Sequence, residues 1–169
     1  MHQDELRRLL TDCAAERLGI LQRHEASARV VSHYDFNNTY QYVIAREETH
    51  ISWLQNAVAE FGLTLPQPSP VLPDPQAPKT GKGKAAAAAF RGILEEDART
   101  LGAFVEKWRP RLETMTHARH RTMLNVIVGE TLEHKRLFEQ AAAGFEDVLG
   151  RRTTFAERVG AVLPSRWQE

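Results

Sequence analysis

The run LTLPQPSPVLPDPQAPKTGKGK at positions 63–84 decides the architecture of this chain. It holds six of the eight prolines (Pro66, Pro68, Pro70, Pro73, Pro75 and Pro78), followed by Gly81 and Gly83, while only Pro110 and Pro164 lie elsewhere. Proline fixes φ and has no backbone N–H to donate, so regular secondary structure cannot run through such a stretch. On both sides the sequence is rich in Ala, Leu, Glu, Gln and Arg, which favour helix. β-branched residues are scattered rather than alternating, so no strand pattern emerges. The chain reads as all-α, two long helical halves joined by one extended link.

Each half divides into two predicted helices. The first spans about 4–34, with Asp4 or a neighbour as N-cap. Asp35, Phe36, Asn37 and Asn38 make a turn, because Asx side chains bond back to the backbone. The second helix spans about 39–61 and stops at Gly62. The third begins at the polyalanine run 85–89 and reaches about 108, where Pro110 marks a kink or break. The fourth spans about 116–149, before Gly150. In the extension at 151–169, Phe155, Val159 and Val162 recur at three and four, which suggests a short docking helix. A helix of about 30 residues is about 45 Å long, and a polyproline-like link rising about 3.1 Å per residue covers that distance. A link this long needs a structural reason, and carrying the chain back along the length of the helices supplies one. An up-down-up-down order would need only short loops. Two independent hairpins on a tether are the alternative, disfavoured because a two-helix hairpin buries too little surface. The 169 residues therefore read as a single domain.

Composition removes several functional classes. With 22 Lys plus Arg against 22 Asp plus Glu, the chain offers no electrostatic case for nucleic acid or anionic membrane. No apolar run approaches the roughly 20 residues that span a bilayer, and no basic start followed by an apolar stretch suggests a secretory signal. Cys13 is the single cysteine, so no internal disulfide forms. The expectation is a soluble cytoplasmic protein whose chemistry comes from polar side chains pointing inward.

Such side chains interrupt the apolar stripes. On the second helix, Glu47 and His50 fall among Val43, Leu54, Ala57, Val58 and Phe61, three residues apart and therefore neighbours on one face. On the fourth, His134 lies in the stripe His120, Leu124, Ile127, Thr131 and Phe138, with Glu130 one turn before it. The first helix places Glu25 among Ala14, Leu18, Leu21 and Ala28. The third offers Glu95, Glu96 and Asp97. Glu95 is favoured by the echo between Glu25-x-x-Ala28-Arg29 and Glu95-x-x-Ala98-Arg99, and by the small neighbours Gly92 and Gly102. Asp97 sits more squarely among Phe90, Leu94, Leu101, Phe104 and Trp108, and the choice stays open. A turn centred near Phe36 puts Glu25 and Glu47 at one height. A buried ionised carboxylate needs a partner, and a metal ion is one way to supply it. The candidate ligands are Glu25, Glu47, His50, Glu95, Glu130 and His134. His24, His33, His117 and His120 read as surface, turn or capping residues, Cys13 as a small core residue, and Lys79, Lys82 and Lys84 as solvated.

A carboxylate on each of two helices, with Glu-x-x-His on the others, resembles the ferritin-like superfamily and its rubrerythrin-type four-helix bundles. Arg46-Glu47-Glu48-Thr49-His50-Ile51-Ser52-Trp53-Leu54 looks like the second-helix motif of that group, and Glu133-His134-Lys135-Arg136-Leu137-Phe138-Glu139 is similar to the fourth. The similarity spans about 16–143, and the long link matches the crossover of that fold. One position departs: a strict Glu-x-x-His would need glutamate where Thr131 stands, leaving Glu130 to reach in from i−4. The resemblance implies iron, as many as two ions, with manganese or zinc as alternatives. It also implies an oxidoreductase acting with oxygen or peroxide, ferroxidase- or peroxidase-like, and a homodimer packed through helical faces. Glu25 and the third-helix carboxylate would be terminal or bridging ligands, Glu47 and Glu130 would bridge, and His50 and His134 would complete the coordination. The alternative is a metal-free helical module with a structural or interaction role. A DinB-like three-histidine site needs His-x-x-x-His on one helix, which the chain does not contain.

Overall fold

The computed structural model describes residues 2–77, 84–145 and 147–150. Four long helices pack against one another: α1 (Gln3–Val30), α2 (Tyr34–Ala59), α3 (Lys84–Glu113) and α4 (Ala118–Ala142). Among the described residues there is no strand, and no helix is long and apolar enough to cross a membrane.

The first turn falls earlier than expected. α1 stops at Val30 and α2 already begins at Tyr34, so the bend is centred on Ser32 rather than Phe36. Two side chains cause this. The Nδ1 of His33 accepts from the backbone N–H of Phe36 at 3.5 Å. From inside α2, Asn37 donates to the carbonyls of Ala28 at 2.8 Å and Val31 at 3.1 Å, satisfying groups that the end of α1 leaves open. Asn37 thus bonds back to the preceding chain as expected, one helix turn later than the bend itself. At the other end of α2, Gly62 adopts φ 69° and Leu63 N–H bonds the Val58 carbonyl at 3.2 Å, the left-handed stop expected there. α3 runs past 108 and through Pro110 to Glu113; so near the helix end, the missing N–H costs one hydrogen bond and no break follows. α4 ends at Ala142, short of 149, because Gly144 turns to φ 87° and Phe145 N–H closes on Gln140. The expected docking helix at Phe155, Val159 and Val162 lies outside the described residues, as do Lys79 and Lys82.

Cross-helix pairs give the directions. Glu60 meets His120 while Arg46 and His50 meet Glu130, so α2 is antiparallel to α4. Glu16 meets Lys107 and Arg23 meets Asp97, so α1 is antiparallel to α3. α2 and α3 therefore point the same way, and the link must travel the length of the helices. Its described part does so along α1: Ser69 N–H bonds the Ala15 carbonyl at 2.8 Å, and further up Arg23 Nη1 donates to the Pro73 carbonyl. Gly19 lies beneath this strap, where a Cβ would overlap the carbonyl oxygen of Ser69.

The core draws Leu10, Ile20, Tyr40, Leu54, Leu94, Phe104, Trp108, Leu124 and Phe138 from all four helices. The inward faces of α2, α3 and α4 are those the stripes indicate. The face of α1 is not. Leu6, Leu10, Cys13, Ala14, Arg17, Ile20, His24 and Ser27 are buried, whereas Leu18, Leu21, Glu25 and Ala28 are only half-buried.

Glycine 19 supplies a test of the strap. Gly19→Ala is expected to lower the thermal midpoint, because backbone rather than a yielding side chain blocks the methyl group. Gly92→Ala, which meets nothing within 4 Å, should raise stability by about 0.5–1 kcal/mol through helix propensity alone. Thermal unfolding of the two variants beside the parent protein checks both signs.

Candidate functional site

With the bend at Ser32, the α1 residue level with Glu47 is Arg17, since each stands fifteen residues from Ser32. Arg17 is fully buried, and its side chain touches all three other helices. Nη2 lies 3.1 Å from Glu47 Oε1 and 3.4 Å from His50 Nδ1, both on α2. Nη1 donates to Thr131 Oγ1 on α4 at 3.3 Å. The guanidinium carbon lies 5.1 Å from the ring centroid of Phe104 on α3, a cation–π arrangement. Thr131 donates its own hydroxyl proton to the Ile127 carbonyl at 2.6 Å, which leaves a lone pair for Arg17.

From Arg17 the network extends both ways. Glu47 Oε2 accepts from His24 Nδ1 at 2.9 Å. Because His50 Nδ1 accepts from a guanidinium, its proton sits on Nε2, which donates to Glu130 Oε2 at 2.8 Å; the tautomer is assigned from these partners. Arg46 grips Glu130 in turn, with Nη2 2.8 Å from Oε1 and Nε 3.1 Å from Oε2. The order Arg46, Glu130, His50, Arg17, Glu47, His24 runs from a partly solvated edge into the dry centre. His134 stands beside it, its ring centroid 6.2 Å from that of His50. Its Nδ1 is buried without a hydrogen-bond partner, as are His24 Nε2 and Arg17 Nε.

The charges follow from these contacts. Burial pushes the Glu47 carboxyl upward, but His24 and Arg17 outweigh it and hold the group at about 2. Burial, reinforced by Arg17, pushes His50 down to about 4 against the pull of Glu130. Burial likewise takes His134 to about 3. Near neutral pH the centre holds an ionised Glu47 and neutral rings at 50 and 134.

Of the six expected ligands, Glu47, His50, Glu130 and His134 come together and two do not. Glu25 is half-buried and turned aside, and His24, expected on the surface, takes the inward place one residue earlier. Glu95 is exposed on an outer cleft with Arg99 and Lys135. Asp97 is the inward carboxylate of α3, fully buried. It accepts from Arg23 Nε at 2.7 Å, Ser27 Oγ at 2.7 Å and the Tyr40 hydroxyl at 2.6 Å, a second polar cluster joining α1, α2 and α3. His120 is buried too, with Nδ1 2.8 Å from that of His117 and Nε2 3.4 Å from Glu60. Cys13 is the inert core thiol expected, raised by burial to about 12. The residues missed were Arg17, His24 and Arg23. Arg17 and His24 continue the three-four series Leu10, Cys13, Arg17, Ile20, His24 and Ser27, a signal that emerges only when polar residues are included in the stripe.

These residues do not fit the dinuclear iron centre that the resemblance implies. Glu47 Oε1 and His50 Nδ1, which a metal would need, both face a guanidinium. Among the described residues, no group of three or more His, Cys, Asp or Glu is placed to hold a metal ion. Thr131, where a ligand glutamate would stand, is itself an Arg17 partner. Among protein-family models, curated proteins and solved structures, none matches this chain.

Two measurements probe the network. Glu47 is held below its ordinary 4.5, so its contribution is present above that value and lost as pH falls toward about 2. His50 and His134 are held below 6.5, so the unfolded chain takes up their protons first and stability drops as pH falls from 6.5 toward 4. All three act in one direction, and urea midpoints should decline steadily below pH 6.5, less steeply between 6.5 and 4 in His134→Gln. Separately, Arg17→Met is expected to cost about 3–5 kcal/mol by stranding a buried carboxylate, and Arg17→Met/Glu47→Leu to regain most of it; a double-mutant cycle by denaturant unfolding measures the difference.

Proposed function

We propose that this chain is a ferritin-like four-helix bundle that works without a metal ion, as a structural or interaction module. The observation that carries the proposal is the place of Arg17 between Glu47, His50 and Thr131. A buried carboxylate needs a cation. Ferritin-like di-iron proteins meet that need with metal, whereas this chain brings its own from α1. The antiparallel pairs and the lengthwise link support the ferritin-like part of the proposal. Full burial of Glu47 and His50 supports the non-catalytic part, because no reacting atom there meets solvent.

A second reading keeps the metal: an iron, manganese or zinc oxidoreductase acting with oxygen or peroxide. What favours it is the pair of buried unpartnered nitrogens, His134 Nδ1 and His24 Nε2, both of a type that ligates first-row metals. Elemental analysis separates the two. Protein prepared metal-replete, with and without air, should carry no stoichiometric iron, manganese or zinc, and Glu47→Ala/His50→Ala should lose thermal stability and nothing else. Two irons per chain, absent from the double variant, would falsify the metal-free proposal.

A further inference from the structure

Resting on the interaction role proposed above, we infer that the partner is a second copy of this chain, met across the outer face of α4 around Val126. Val126 is one of three large apolar side chains exposed among the described residues, at 42% exposure. Beside it lies a shallow, largely apolar cleft bounded by Trp53 of α2 and by Arg119, Thr122 and Met123 of α4. Continuous apolar surface rimmed by polar groups marks a contact site. Gly129, one turn further on, is exposed in the middle of α4, and a Cβ there would meet nothing within 4 Å. Glycine destabilises a helix interior, and no neighbour inside the chain needs the missing methyl group. A second helix arriving from outside does.

Self-complementarity names the occupant. When two antiparallel copies of α4 cross on a twofold axis at Val126, residues equally far before and after that position face each other. Val126 meets its own counterpart. Met123, three residues before, meets Gly129 of the second copy, three after, a long adaptable side chain against an open space. Arg119, seven before, meets Glu133 of the second copy, seven after, so opposite charges close the contact about 10 Å to either side of the axis. The rim is balanced within each chain as well, Arg119 with Glu60 and Arg46 with Glu130. Over the whole chain 22 Lys plus Arg stand against 22 Asp plus Glu. The face therefore offers no single-sign field to a nucleic acid or a charged membrane, and two copies approach without net repulsion.

The test is sedimentation velocity of the full-length protein over a range of concentrations. The parent chain should sediment as a dimer that dissociates on dilution. Val126→Glu places two like charges on the axis and should raise the dimer Kd about tenfold or more, with the circular dichroism of the parent retained. Arg119→Glu and Glu133→Arg should each be monomeric alone and form a dimer when mixed, because mixing restores both opposite-charge pairs. The inference is overturned if the parent stays monomeric, if Val126→Glu leaves a dimer intact, or if the charge variants pair alone or fail to rejoin. A parent monomer that dimerises only after residues 151–169 are removed would give the face to the chain's own end and overturn it likewise. Elemental analysis of the same samples keeps the two proposals apart. A monomer without metal leaves the metal-free proposal standing, whereas a dimer with two irons per chain sinks that proposal and leaves this contact in place.

Discussion

The arrangement of this protein depends on an ion pair sealed from water, Arg17 with Glu47, both side chains fully buried. Removing two charges from water costs several kcal/mol per ion, and attraction between them offsets that cost only when their remaining polar atoms are also engaged. Here the engagement is nearly complete. Glu47 uses one oxygen on Arg17 and the other on His24, while Arg17 spends its two terminal nitrogens on Glu47, His50 and Thr131. Only Arg17 Nε in the pair lacks a partner. Because the contacts come from α1, α2 and α4 with Phe104 of α3 beneath, the pair aligns four helices at one height.

A second cluster repeats the device nearer the bend between α1 and α2. Asp97 gathers Arg23, Ser27 and Tyr40, and Arg23 continues outward to Glu96 and to the Pro73 carbonyl of the strap. Burial and the neighbouring Asp97 together drive the Tyr40 hydroxyl well above its usual range, so it serves as a fixed donor. Buried polar networks of this kind favour one register over its neighbours, since sliding a helix by a turn would strand several groups at once. The two clusters and the close pass of Ser69 over Gly19 together set where α1 lies against α2, α3 and the link.

Much of the site was legible in the stripes of α2 and α4. Glu47, His50, Thr131 and His134 interrupt apolar series at helical spacing, and all four are buried. α1 was misread for two linked reasons. The bend was placed on the Asx residues, although Asn37 acts from inside α2. That shift of four residues moved the partner of Glu47 from Arg17 to Glu25. Arg17 carries no mark in the sequence that sets it apart from solvated arginines, and His24 reads as a surface residue; each is buried because it meets a partner from another helix. Glu95 lost to Asp97 on periodicity, the apolar neighbours of Asp97 outweighing the local echo around Glu95.

From residue order alone came the helical class, the long return link, the stop at Gly62, and the inward faces of α2 and α4, because these depend on backbone preference and on spacing within a segment. Which cation answers Glu47 could not come from that source. It depends on the height at which α1 meets α2, and on Thr131 of α4 arriving at the same guanidinium, relations between segments that only packing in three dimensions establishes.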